Sequence, residues 1–186
     1  RILLSPVLAG DMRVEDITLH PQEWYAQQGI TLHAGDAVVG IDRGRRTVTS
    51  ARGVTVTYDR LLLATGSVPF VPSVPGTDLA GVTTFRDLDD VARMQAAAGP
   101  QRPAVVIGGG LLGLEAATGL AARGMAVTVV HLMDRLMERQ LDARAAGLLR
   151  DTLVARGIQV RLSAETEALE GENGRVTALR LKGGER

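Results

Sequence analysis

Three glycines at positions 108, 110 and 113 constrain this chain more than any other feature, because of what flanks them. Residues 104–107 are apolar and read as a strand buried in a parallel sheet, and residues 111–123 read as a helix rich in Leu and Ala. A chain that passes so quickly from strand to helix needs Gly108 for the sharp turn and Gly113 for close packing of helix on sheet. Gly110 leaves the backbone bare to an approaching pyrophosphate. The helix start adds unpaired N–H groups and the positive end of the helix dipole. With 22 glycines in 186 residues the spacing alone says little. Its context says more: strand before, helix after, Gly124 as a helix stop, then a second apolar strand at 126–130. That context predicts a dinucleotide site, the alternative being a tight turn that binds nothing.

The pattern departs from the usual fingerprint at position 131. An Asp or Glu normally ends the second strand and accepts both ribose hydroxyls of NAD. Here the residue is His131. A neutral imidazole accepts one hydrogen bond, and a protonated one would attract a 2′-phosphate. Arg135 and Arg139 follow four residues apart and share a face if that stretch is helical. NADH and NADPH therefore both stay open, as does a plain solvated basic loop.

The balance of 21 basic and 21 acidic residues gives no electrostatic footprint for nucleic acid or for an anionic membrane. No apolar run approaches the ~20 residues that span a bilayer, and a cytoplasmic protein is the expectation. The chain has no Cys, and His20, His33 and His131 are too scattered to suggest a metal site. It opens without Met and ends in Gly183-Gly184-Glu185-Arg186, which reads as a hairpin turn without its return strand; both ends suggest a piece of something longer.

Along the chain, residues 3–8 have helical spacing, and 22–28 form a short helix stopped by Gly29. Residues 38–41, 47–49 and 54–57 alternate as strands of a small antiparallel meander. The continuous apolar run within 58–66 predicts a strand buried on both faces of a central parallel sheet. Three prolines make 68–76 an extended connector. Asp87 caps a helix to about residue 98, Asp142 caps another, 158–162 is a third parallel strand, and 165–170 with 175–182 form a hairpin around Gly171-Glu172-Asn173-Gly174. The domain boundary is expected at Gly99-Pro100, giving domains 1–99 and 100–186.

The opening Arg1-Ile2-Leu3-Leu4-Ser5, the Ala64-Thr65-Gly66-Ser67 segment and the stretch from Gly108 to Glu115 together resemble the two-dinucleotide FAD/NAD(P)-dependent oxidoreductases. Within that family, residues 108–117 and 131–142 are most similar to the large subunits of assimilatory NAD(P)H nitrite reductases. The resemblance implies an α/β fold: a Rossmann-like NAD(P)-binding unit inserted in a partial FAD-binding domain, with small antiparallel β-meanders. It implies that NAD(P)H reduces FAD. Electrons then pass to a downstream sirohaem and iron–sulfur domain or, in a stand-alone reductase, to a small redox protein such as rubredoxin or ferredoxin. A dinucleotide-binding module without catalysis is the third possibility. Carried over residue by residue, the FAD contacts fall on Arg1, on the Val38 backbone, on Ala64, Thr65 and Gly66, and on Arg86, while Glu115 lies near the nicotinamide. The family's first glycine loop belongs upstream of Arg1, the paired Cys of disulfide-reducing members is absent, and Pro6 stands where ferredoxin-reductase relatives carry Lys.

Overall fold

The structure, a computed structural model, describes residues 2–186. Its elements in chain order are α1 (Leu4–Ala9), a 3-10 turn (Glu15–Ile17), α2 (Gln22–Gln27), β1 (Val38–Asp42), β2 (Thr47–Ser50), β3 (Thr55–Thr57), α3 (Leu88–Ala97), β4 (Pro103–Ile107), α4 (Leu111–Ala122), β5 (Ala126–Val130), α5 (Ala143–Ala155), β6 (Gln159–Arg161), β7 (Thr166–Glu172) and β8 (Arg175–Leu181). They divide into two compact units, one running to Ile17 and resuming over Val68–Arg186, the other Thr18–Ser67.

The larger unit holds the expected βαβαβ arrangement, a parallel sheet in the order β4-β5-β6. Pro103 to Ile107 pair with Ala126 to Val130, and Thr128 to Val130 with Gln159 to Arg161. Leu114, Ala117 and Leu120 of α4 are buried with Val127 and Val129 of β5 and Ile158, so the apolar side of the helix covers the sheet. The same core takes in α1. Leu8 is fully buried against Gly119, where even a methyl group would come within 2.8 Å of the leucine. A helix of six residues cannot satisfy its own last carbonyls, and here neighbours do so: Gln95 Nε2 donates to the Val7 carbonyl and Arg123 Nε to that of Leu8, each at 2.7 Å.

Both predicted caps form. The Asp87 carboxylate accepts from the Asp90 amide at 2.9 Å, and Asp142 from the Ala145 amide at 2.8 Å. Asp90 is buried, and its carboxylate accepts from the Thr84 hydroxyl at 2.9 Å, from the Arg86 amide at 2.7 Å and from the Arg93 guanidinium. Burial alone would raise its pKa, but the hydrogen bonds from Thr84, Arg93 and the amides outweigh it and hold the carboxyl below its ordinary value. Strands β7 and β8 close through Asn173 and Gly174, both at positive φ, the conformation that a two-residue hairpin turn demands. The connector reaches this hairpin, where the Leu169 amide donates to the Pro75 carbonyl at 2.9 Å, and just beyond it the Ala80 amide donates to Gly174 and the Val176 amide to Ala80, each at 3.0 Å.

The smaller unit carries the antiparallel meander β1-β2-β3, as the alternating pattern predicts. The expectation for 58–66 is not met. This stretch bends at Asp59-Arg60 and belongs to no sheet, and Leu62 and Leu63 are exposed. Its apolar character specifies burial, but a strand also needs a neighbour's donors and acceptors, and no described residue pairs with it as a strand.

Candidate functional site

The turn between β4 and α4 is built by its glycines. Gly108 stands at φ +121° and donates its amide to the Val130 carbonyl at 2.8 Å, which keeps the end of β4 bound to β5. A Cβ on Gly113 would run into the Gly108 carbonyl, so the helix can lie this close only with glycine there. Gly110 is different. It is the N-cap of α4, no side chain caps the helix, and a Cβ on it would meet nothing within 4 Å. The three glycines thus leave an open cradle at a helix start whose first-turn amides have no partner within the helix, which fits a pyrophosphate. Gly110→Ala is therefore expected to cost under about 1 kcal/mol of stability, the preference of glycine over alanine at an N-cap, while raising the Kd for a nicotinamide dinucleotide about tenfold or more. Thermal melting and a dinucleotide titration of the same variant check both halves.

Gly109 is gripped by the segment after β5. Its amide donates to His131 Nδ1 at 3.0 Å, and its carbonyl accepts from the Met137 amide at 3.0 Å. A Cβ on Gly109 would fall 2.7 Å from the imidazole and from Leu136, which is fully buried. Since Nδ1 accepts, the ring proton is on Nε2, and that atom lies 3.1 Å from Glu138 Oε2. The Glu138 amide, then His131, hold the Glu138 carboxyl below its ordinary value against the opposing effect of burial.

Residues 132–141 are a loop of bends and turns, so Arg135 and Arg139 do not share a helix face. Arg135 contacts the Asp134 carboxylate and the Glu138 carbonyl, each at 3.4 Å. Arg139 is 87% exposed, with Nε 3.9 Å from Glu138 Oε1. Glu115 is half-buried on the second turn of α4. Gly109 and Glu138 were not singled out by the sequence; the signal that could have found them is that a half-buried imidazole at position 131 needs a partner for each nitrogen.

In the smaller unit, Val38, Ala64 and Thr65 come together with Ile41, Val48 and Leu61 around a groove of about 440 Å³. No charged residue lines it, and its apolar walls suit a flat aromatic group such as adenine. Gly66, at φ +72°, turns the chain just beyond. Arg86 lies in the larger unit, its amide on Asp90, and Arg1 lies outside the described residues. Among the described residues no group of three His, Cys, Asp or Glu could hold a metal ion, and no helix is long and apolar enough to cross a membrane.

Known proteins resemble this chain over almost its whole length. The chain is 48% identical over 184 residues to the nitrite reductase [NAD(P)H] of Bacillus subtilis (strain 168), covering 99% of this chain and 23% of that protein. It is 33% identical to the rubredoxin-NAD(+) reductase of Ectopseudomonas oleovorans, covering 98% of this chain and 48% of the relative. The solved ferredoxin reductase from Rhodopseudomonas palustris superposes with a TM-score of 0.91 at 29% identity, over 100% of this chain and 46% of that one. The chain therefore spans about half or less of each of these relatives. The family model described as pyridine nucleotide-disulphide oxidoreductase matches residues 1–186, and the chain belongs to that family.

Proposed function

We propose that this chain is the NAD(P)H:FAD reductase module of a cytoplasmic assimilatory nitrite reductase, with residues 1–99 part of the FAD-binding domain and 100–186 the NAD(P)-binding domain. The observation that carries the reading is the open cradle at α4, kept bare by Gly110 and drawn tight by Gly113. The amides at the helix start hold the pyrophosphate, and Gly109, fixed from both sides by His131 and Met137, keeps the loop in shape before the ligand arrives. Glu115 orients the nicotinamide end. Val38, Ala64 and Thr65 form the apolar wall for the flavin nucleotide, and Gly66 follows directly in the chain. When bound, FAD supplies the redox chemistry: it accepts a hydride and releases electrons to the next centre. This chain's own task is placement, since hydride transfer to flavin requires no general acid or base.

Its partner is then an acceptor domain in the same polypeptide, and 48% identity to a nitrite reductase against 33% to a rubredoxin reductase supports that choice. Steady-state assays of the full polypeptide test it. Oxidation of NADH or NADPH coupled to nitrite consumption is expected; turnover only when rubredoxin or ferredoxin is added would make it a stand-alone reductase instead.

A further inference from the structure

Position 131 follows β5 at the place where a carboxylate normally receives the ribose, yet the imidazole there has no acceptor to spare. Nδ1 already takes the Gly109 amide, and Nε2 faces Glu138. Two hydrogen bonds in series therefore lead outward from the glycine loop and end on a carboxylate. We infer that the Glu138 carboxylate, held in place by His131, reads the adenosine ribose of the bound nicotinamide dinucleotide, accepting its 2′-hydroxyl and disfavouring a 2′-phosphate.

The geometry leaves Glu138 able to do this. Its side chain is 24% exposed, so it is held but open to solvent on one side. A carboxylate offers about four acceptor sites; His131 and the Glu138 amide take two of them, and Arg139 Nε lies 3.9 Å from Oε1. Its lowered pKa keeps it ionised at neutral pH, where it strengthens a hydroxyl donor's bond and repels a phosphate dianion. Of the two cations in this loop, Arg135 is turned toward Asp134 and the Glu138 carbonyl, while Arg139, 87% exposed, reaches only to 3.9 Å from Glu138 Oε1. The inference rests on the nicotinamide-binding reading above and adds the residue that sets cofactor choice, which makes NADH the preferred donor.

The test is a set of dinucleotide titrations on the full polypeptide, with NADH, NADPH and an NADH analogue lacking the adenosine 2′-hydroxyl, for wild type and Glu138→Gln. Wild type should bind NADH more tightly than the deoxy analogue. Glu138→Gln should lower the NADH-to-NADPH affinity ratio by about 10- to 100-fold, the worth of a hydrogen bond to a charged group, and should distinguish NADH from the analogue less than wild type does. Equal weakening of all three ligands would show that Glu138 only supports the loop and would overturn the inference, as would no change in any. Should the variant fail to fold, equal affinity of wild type for NADH and the analogue overturns it alone. If wild type binds none of the three, the nicotinamide-binding reading itself fails, which is a different result from an unchanged ratio.

Discussion

Gly113→Ala is expected to lower stability by about 3 kcal/mol and to abolish nicotinamide dinucleotide binding. The added Cβ would overlap the Gly108 carbonyl oxygen, lie 3.1 Å from the carbon of that carbonyl and press on Val106 Cγ1 at 3.4 Å. The main obstacle is backbone, which cannot rotate away as a side chain can. Relief requires α4 to lift from β4 or the turn at Gly108 to open. Either movement strips contacts from Leu114 and Ala117, which are buried in the core, and disperses the amides that form the cradle. For a chain of this length the loss corresponds to a fall in Tm of about 6–12 °C. The contrast with Gly110→Ala is the informative part. One methyl group meets backbone and damages both fold and site; the other projects into open space and damages the site alone.

The second large effect belongs to Asp90. Asp90→Asn is expected to cost about 3 kcal/mol at neutral pH, because an amide cannot accept from Thr84, the Arg86 amide and Arg93 together, and a buried donor is left facing a donor. The pH dependence follows from the direction of the shift. The folded carboxyl titrates below its ordinary value of 3.8, so the stability it contributes is present in full above that value and is lost as pH falls through the lowered folded value. Urea unfolding of wild type and variant should therefore differ by a constant amount from about pH 7 to pH 5, and the difference should shrink below about pH 4. A difference that stays constant down to about pH 2 would mean that the carboxylate's charge does not matter.

Much of this was readable from the chain because the determinants are local. The period of apolar residues from 104 to 130, the caps at Asp87 and Asp142, and the Gly and Asn of the hairpin turn each act within a few residues, and the elements form as read, save that β4, expected buried, exposes Val105 and Ile107 and the hairpin closes over two residues rather than four. Residues 58–66 show the limit. Apolarity there gave a strand, but pairing depends on a partner distant in sequence, and no strand in the described residues supplies one. The site was half legible for the same reason. The glycine spacing marks the cradle, and His131 marks the departure from the usual carboxylate. What His131 does was hidden by the loop after it: four-residue spacing of Arg135 and Arg139 suggests a helix face, yet Met137 adopts φ +52°, which breaks helical continuation and brings Glu138 to the imidazole. Asp90 was likewise concealed among three acidic residues at 87, 89 and 90, since nothing in sequence says which of them turns inward to Thr84.

That this chain supplies the nicotinamide-binding part of a flavin reductase is the proposal on which the rest depends. Its most direct test is the visible spectrum of the full polypeptide under anaerobic conditions, before and after stoichiometric NADH. Flavin bands are expected that bleach on addition of NADH, and that persist when NADH is added to the Gly113→Ala variant. Flavin bands in the wild-type protein that neither NADH nor NADPH bleaches would contradict it.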